Sequence, residues 1–249
     1  MIDRVILASL AILALPPPAR AVDDRVLCEG SAFVTGTRDE TRAEGLAHVL
    51  RDVLVKRSGD PALSHDARVD PLAANAGQMV EDYLYLDRLS DQPKHDEQGT
   101  RDRPFTLIAR FAPAKIDAAV ASLGDMPWLA ERPALLARVT ITDSKGGTYP
   151  LSADGGNDER HRQALLAAAI RFGMHLVLEP VGQTTVPAAD TLLVTGTLRW
   201  SDADAGWVGA WRSGKRAWGI KGVSFDDAYR DLVWGAMAIA SGHALPEPR

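Results

Sequence analysis

Cysteine and aromatic residues are scarce in this chain. Among its 249 residues there is one cysteine, Cys28, and 6% of the side chains are aromatic. A single thiol excludes a disulfide within the chain. A nucleophilic thiol needs a neighbouring base and a lowered pKa, and nothing in the sequence around Cys28 indicates either. We therefore predict a buried cysteine on the first strand.

Basic blocks and catalytic signatures are also missing. The chain has 28 Lys and Arg against 33 Asp and Glu, a formal net charge of −5, so nucleic acid is a poor candidate for its partner. The sequence lacks the Gly-x-Ser-x-Gly elbow of many serine hydrolases. It also lacks a phosphate-binding loop, a zincin helix and a dinucleotide fingerprint. We therefore assign no catalytic residue, no metal ligand and no cofactor.

Long apolar runs are confined to the first residues of the chain. The run from Val5 to Leu15 is too short to span a bilayer, which takes roughly 20 residues, but it suits the core of a secretory signal. Three prolines at 16–18 end any helix there, and residues 19–21 read Ala-Arg-Ala, small residues that suit a signal peptidase. We expect a signal peptide over 1–21, cleavage after Ala21, a periplasmic location and no membrane span in the remainder.

Strands and helices alternate in the first half, residues 22–126, which we interpret as an N-terminal α/β subdomain. Thr37 and Glu40 fit the N-cap and N3 positions of a capping box. Gly59 suits the left-handed position that follows a helix. The predicted elements are a strand over 25–36, a helix ending near residue 58, a shorter helix over 75–83, a polar loop over 87–103, a strand over 104–111 and a helix from Pro113 to Leu123.

The second half, residues 134–249, repeats the α/β theme in a different order. We predict a strand over 134–142, a glycine-rich loop, a helix over 158–172 and a short buried strand within 174–180. Three further strands separated by short turns predict an antiparallel meander. A last helix runs from Ser224 to about Ala240. The predicted fold class is α/β (α+β), with two small subdomains and with helices packed on the mostly antiparallel meander sheet.

A proline-rich segment, "PWLAERP" at 127–133, joins the two halves. Pro127 and Pro133 fix φ and favour extended geometry in the residues before them. Trp128 offers a large apolar surface that can wedge between the halves. We interpret this segment, which includes Arg132, as a structural joint and not as an active site.

Several segments occur in an order found in one protein family. They are "VLRDVLVKRSGDP" at 49–61, "VEDYLYL" at 80–86, "FTLIARFAPAKIDAAVASLGDMPWLAERPALL" at 105–136 and "RHRQALLAAAIRFGMHLVLEP" at 160–180. Together they resemble a family of exported bacterial proteins catalogued as domain of unknown function 2066. The resemblance extends over residues 23–240. It implies an envelope location and assigns no catalytic residues.

Four of the six tryptophans fall between residues 200 and 218. They are Trp200, Trp207, Trp211 and Trp218. Because side chains alternate along a strand, Trp207 and Trp211 share one face. The four residues either form a core against the last helix, with Trp234 opposite, or form an exposed binding surface for a glycan or a partner protein. The core is the preferred interpretation.

An acidic loop, "DGGNDERH" at 154–161, brings four potential metal ligands close together in sequence: Asp154, Asp158, Glu159 and His161. Acidic residues equally suit the first turn of a helix, where the dipole favours negative charge, and we prefer that interpretation. The predicted function is a periplasmic, non-enzymatic accessory or binding protein of the bacterial envelope, with an envelope protein or a glycan as partner. The alternative is an envelope hydrolase or metal-dependent enzyme that uses Asp154 to His161.

Overall fold

Three strands, one long helix and three short helices make up the described part of the first half. The computed structural model describes residues 24–91 and 103–245. The helices of the first half are α1 (Asp24–Leu27), α2 (Asp39–Ser58), α3 (Asp70–Ala74) and α4 (Pro113–Ser122). Its strands are β1 (Glu29–Thr35), β2 (Val80–Asp87) and β3 (Pro104–Phe111). Single 3-10 turns lie at Pro61–Ser64, Ala67–Val69 and Ala76–Gln78.

The second half holds a larger sheet and two long helices. Its strands are β4 (Ala134–Thr142), β5 (Thr148–Pro150), β6 (Leu176–Val177), β7 (Thr191–Ser201), β8 (Gly206–Ser213) and β9 (Arg216–Val223). Its helices are α5 (Glu159–Arg171) and α6 (Phe225–Ser241). The meander β7-β8-β9 is antiparallel, as predicted. The fold class is therefore α+β. Strand β5 was not predicted, and it lies in the segment expected to be a glycine-rich loop.

The first sheet is antiparallel, in the order β1-β3-β2, and α2 covers one of its faces. An apolar stripe of α2 is buried; its members are Leu46, Val49, Leu50, Val53 and Leu54. Gly45 lets the helix approach the sheet closely, because a Cβ atom there would lie 2.5 Å from Val34 Cγ1. Burial of this stripe removes apolar area from water and so stabilises the first half.

The second sheet is mixed, in the order β5-β4-β7-β8-β9, with β6 pairing beside β4. β4 runs parallel to β7 and to β6, whereas its partner β5 is antiparallel. Helix α6 packs on the meander and also contacts α5. The predicted start of the last helix is confirmed, because Ser224 is the N-cap of α6 and its Oγ accepts from the Asp227 N–H over 3.1 Å.

The predicted start of the first long helix is wrong. The N-cap of α2 is Arg38, and its side chain makes no capping hydrogen bond. Thr37 and Glu40 therefore form no capping box there, and Thr41 Oγ1 instead donates to the Arg38 carbonyl over 3.0 Å. The predicted end is confirmed, because Gly59 has φ of 79° and its N–H donates to the Val55 carbonyl.

The helix predicted over 75–83 is also wrong. Its first residues form a 3-10 turn, and Val80 onward forms β2, in which Tyr85 pairs with Leu107 of β3. Aromatic side chains fit a pleated surface, and pairing with β3 outweighs the local helical pattern. Cys28 is fully buried, as predicted, but it lies in the turn between α1 and β1 and not on the strand.

Buried apolar side chains of both halves form one continuous cluster, from Cys28 and Val34 to Ala236 and Met237. The predicted signal peptide lies outside the described residues, as does most of the predicted polar loop over 87–103. Across 24–91 and 103–245, no helix combines the length and the apolar character that crossing a membrane requires.

Candidate functional site

Two of the four clustered tryptophans are buried beneath α6. Trp211 and Trp218 lie opposite each other on β8 and β9, and they are 2% and 7% exposed. Trp211 Nε1 donates to Asp231 Oδ2, and Trp218 Nε1 donates to the Asp231 carbonyl, each over 3.1 Å. Each indole N–H has the partner that a buried donor requires. These two tryptophans are core residues.

Glycines make room for the two buried indoles. A Cβ atom on Gly196 would lie 2.5 Å from Trp211 Cε3, and one on Gly209 would overlap the same ring. On α6, a Cβ atom on Gly235 would overlap the Trp218 ring. Because these three positions carry no side chain, the sheet and the helix can pack closely around the two rings.

Trp200 and Trp207 are only half-buried, at the end of the same aromatic cluster. Their ring centroids are 5.8 Å apart, and the Trp207 ring lies 5.2 Å from the ring of His161. Trp200 Nε1 donates to Asp202 Oδ1 over 2.7 Å. Part of each of these rings is accessible, so they are the members of the predicted set that a partner could reach.

The acidic loop is bound into the fold through its carboxylates. Asp158 is 1% exposed, and its Oδ2 accepts from the N–H and the Oγ of Ser152 over 2.6 and 3.0 Å. Arg162 Nη1 donates to Asp158 Oδ1 over 3.0 Å. Asp154 accepts from the Val181 N–H, and Glu159 from Gln163. Each of these carboxylates has a partner within the protein, which favours the structural interpretation of the loop.

His161 lies among aromatic rings on the buried side of α5. Its ring centroid is 5.0 Å from that of Phe225 and 5.8 Å from that of Tyr229. Burial lowers the pKa of His161, with Asp158 and Asp226 opposing the shift. The neutral ring is therefore favoured, and it packs as an aromatic side chain.

The joint is held by a buried guanidinium group. Arg132 Nη1 donates to the Phe172 carbonyl over 2.9 Å, and Nη2 donates to the Lys56 carbonyl over 2.5 Å. The Arg132 guanidinium also stacks 4.1 Å from the Trp128 ring centroid. Burial lowers the pKa of Arg132 to about 10. Arg132 thus connects the end of α2 with the end of α5, and half-buried Pro133 follows at the start of β4.

The face of the second sheet that the helices leave uncovered is polar. Its residues follow from the strand register, which places Arg138, Thr195 and Arg212 in one row and Thr140, Thr197 and Ala210 in the next. A shallow groove of about 570 Å³ lies along β8 and β9, and its lining includes Val208, Gly219 and Lys221. This face is that of an ordinary solvated sheet.

The uncovered face of the first sheet is apolar instead. The register places Phe33, Thr106 and Leu86 in one row. Ser31, Ile108 and Leu84 form the next row. Phe33 is 72% exposed, Leu86 52% and Leu84 47%. We call Phe33, Leu84, Leu86, Thr106 and Ile108 the open face. Contiguous exposed apolar side chains of this kind mark interaction sites.

Charged residues border the open face. The Arg88 guanidinium lies 4.2 Å from the centroid of the Phe33 ring. At the other end of the sheet, Arg110 Nη2 pairs with Glu29 Oε2 over 3.0 Å, and Asp82 lies in the same row. An apolar centre with a polar margin is the anatomy of a protein–protein interface.

A small pocket extends the open face past the edge of β1. Its volume is about 190 Å³, and its lining includes Ile108, Val26, Ile170 and Lys56. Lys56 Nζ donates to the carbonyls of Val26 and Glu29 over 3.1 and 2.5 Å. Burial lowers the pKa of Lys56 to about 8. The exposed Ile170 brings α5 of the second half into this apolar surface.

The open face is not among the sites predicted from the sequence. Its signal is "LYL" at 84–86, where three large apolar or aromatic residues in succession place such side chains on both faces of a strand. A solvated antiparallel sheet shows alternation instead. The predicted helix over 75–83 ends just before these residues, so no strand with an exposed apolar face was predicted there.

One family matches part of the chain. A model described as domain of unknown function DUF8605 matches residues 21–129, less than half of the chain. The matching family is one of unknown function, as the resemblance implied, but it is not domain of unknown function 2066. No curated protein and no solved structure matches this chain.

Proposed function

We propose that this protein is a non-enzymatic binding protein of the bacterial envelope, exported to the periplasm, and that it docks a partner protein on the open face. The apolar run and the Ala-Arg-Ala sequence at 19–21 support export. The observation that carries the binding function is the exposure of Phe33, Leu84 and Leu86, in two adjacent rows of a sheet whose opposite face is already covered by α2.

A protein partner suits the open face better than a glycan does. Its side chains are mainly aliphatic, and burying them removes apolar area from water at about 25 cal/mol per Å². A sugar ring stacks on flat aromatic platforms, and the buried indoles of Trp211 and Trp218 do not provide one. The charged margin formed by Arg88, Glu29 and Arg110 would set the orientation of a protein partner.

The match to DUF8605 supports placing the function in the first half. Residues 21–129 contain every residue of the open face, together with α2, which packs on the opposite face of the sheet. An apolar surface that stays exposed on this segment is best explained by a partner for that surface.

The first prediction is that charge on the open face abolishes docking. A Phe33→Glu, Leu84→Glu double variant should lose at least tenfold of the partner captured by the wild type, because it places two carboxylates in the apolar centre. Capture would be measured in intact cells with a cross-linker that reaches the periplasm but does not enter the cytoplasm. Val186→Glu, at a position that is 93% exposed, is the matched control and should capture as the wild type does.

Equal capture by the wild type and the double variant would contradict docking on the open face. Absence of any cross-link to the wild type, with the chain recovered from the cytoplasm, would contradict export. If the captured species is a second copy of this chain, the proposal of a distinct partner is overturned, and the open face is then a dimer interface.

A further inference from the structure

Three helices end at one place on the described chain. Helices α2, α4 and α6 are each followed by a glycine with positive φ, at 79°, 87° and 84° for Gly59, Gly124 and Gly242. Each glycine turns the chain so that the next side chain lies at the junction of the helix ends. The three side chains are those of Asp60, Asp125 and His243.

These side chains form a potential metal site, which we call the three-helix cluster. A carboxylate oxygen of Asp60, one of Asp125 and a ring nitrogen of His243 all lie within 4.8 Å of one another, and all three residues are partly buried. Metal–ligand bonds of about 2.0–2.2 Å place the ligands of one ion about 3–4 Å apart. Small side-chain rotations would bring the three atoms around an ion.

Hydrogen bonds favour one tautomer of His243. Ser241 Oγ lies 2.9 Å from the carbonyl oxygens of Gly59 and Met237 and 2.8 Å from His243 Nδ1. Carbonyl oxygens only accept, and a hydroxyl that donates to either of them can only accept from His243, which favours the tautomer in which Nδ1 donates to Ser241 Oγ. In the neutral ring the lone pair is then on Nε2. A ligating histidine is commonly oriented in this way through its other nitrogen.

The Nε2 lone pair of His243 faces the Asp125 carboxylate. The distances from Nε2 are 3.3 Å to Oδ1 and 3.2 Å to Oδ2. Oδ2 is buried and has no hydrogen-bond partner, whereas Oδ1 also accepts from the Met126 N–H. Two acceptors that face each other require a positive charge between them. A proton on Nε2 would supply this charge for His243 and Asp125 alone, whereas a metal ion would supply it for Asp60 as well.

The helix ends make the junction favourable for a cation. Each helix C-terminus carries about half a negative charge, and three of them meet beside two carboxylates. The neighbouring guanidinium groups are already engaged. Arg68 pairs with Asp66 and donates to the Leu123 carbonyl, and Arg216 donates to the His243 carbonyl.

We propose that Asp60, Asp125 and His243 bind a divalent transition-metal ion of the zinc type. One imidazole and two carboxylates suit zinc, whereas magnesium and calcium prefer oxygen ligands alone. The ligands come from the segments that follow α2, α4 and α6, so the ion would connect the last helix to the first half.

The test is titration of the purified, chelator-treated protein with Zn²⁺, by calorimetry and by thermal unfolding. The wild type should bind one equivalent, and its Tm should rise with Zn²⁺ concentration, as for any ligand of the native state. Asp60→Asn and Asp125→Asn should each weaken the affinity at least tenfold. The amide oxygen of the Asp60→Asn variant can still accept from the Ala62 N–H, as Asp60 does over 2.9 Å, so its fold is preserved.

His48→Gln and Asp39→Asn are the controls, because both residues are exposed and distant in sequence from the cluster. They should bind Zn²⁺ as the wild type does. Absence of one-to-one binding by the wild type overturns the proposal and leaves a proton as the charge between His243 and Asp125. Undiminished binding by the two Asn variants also overturns it, as does tighter binding of Ca²⁺ or Mg²⁺ than of Zn²⁺.

Discussion

Each of the two sheets has one face covered by helices, and their other faces differ in chemistry. On the second sheet the uncovered face carries threonines and arginines, such as Thr197 and Arg212. On the first sheet the equivalent face carries Phe33, Leu84 and Leu86. One chain thus contains both an ordinary solvated sheet and a sheet with an apolar outer surface.

The covered faces differ as well. Beneath α6 the core is aromatic and its polar atoms are few, with Trp211 and Trp218 bonded to Asp231. At the end of α2 the first half buries charge, since Lys56 and Arg57 are 4% and 1% exposed. Arg57 pairs with Asp24 and Asp117. The first half therefore combines buried charge with exposed apolar surface, the inverse of the usual arrangement.

The largest effect is expected on the covered face of the second sheet. Trp211→Ala should lower the free energy of unfolding by about 3–5 kcal/mol, because it removes a large buried ring and leaves a cavity. Denaturant unfolding measures this loss. Trp200→Ala, at the half-buried end of the cluster, should lower it by about 1 kcal/mol. Equal losses of free energy of unfolding for the two variants would contradict this prediction, because the loss would then not depend on how deeply the indole is buried.

The second effect concerns the buried charge of the first half. The pKa of Lys56 is lowered from 10.5 to about 8 in the folded protein, so between these values the unfolded chain binds more protons. Stability from this group therefore rises with pH across that window and is lost as pH falls to 8. The wild type should gain up to about 3 kcal/mol relative to Lys56→Met between pH 8 and 10.5. The prediction would be contradicted if the free energy of unfolding changed with pH in the same way for both proteins.

The smallest effect compares the two helices that cover the sheets. Gly→Ala within a helix normally stabilises by about 1 kcal/mol. At Gly235 the added methyl group would overlap the Trp218 ring, which is held by its hydrogen bond to Asp231, so a loss of about 1–3 kcal/mol is expected from overpacking.

Gly45→Ala is the counterpart on α2. Its Cβ atom would meet the terminal methyl groups of Val34 and Leu107, and these can move more readily than an indole. The variant should therefore be less destabilised than Gly235→Ala in denaturant unfolding. The reverse order would show that the aromatic core is the more adaptable of the two.

Local signals predicted much of the fold. Strands β3 and β4 have the bounds that their apolar patterns indicated, and Ser224 caps α6. Errors arose where tertiary pairing decided the conformation. Residues 80–87 became β2 because β3 offers them a full ladder of partners, and Thr37 lost its capping role because α2 begins one residue later than that motif requires.

The candidate sites were harder to predict because their residues are brought together only by folding. Asp60, Asp125 and His243 are far apart in sequence, and no spacing connects them. Their shared context, a helix end followed by glycine and then a ligand-type residue, was visible at "GD", "GD" and "GH". Only the packing of α2, α4 and α6 shows that these three steps meet.

The bond from Ser241 to the Gly59 carbonyl joins residues 182 positions apart, and this affects the order of folding. A bond of this span can form only after the last helix has docked on the end of α2. Before then, the end of α2 is held within the first half, where Arg57 pairs with Asp24 and Asp117. The first half can thus form before the last helix covers the end of α2.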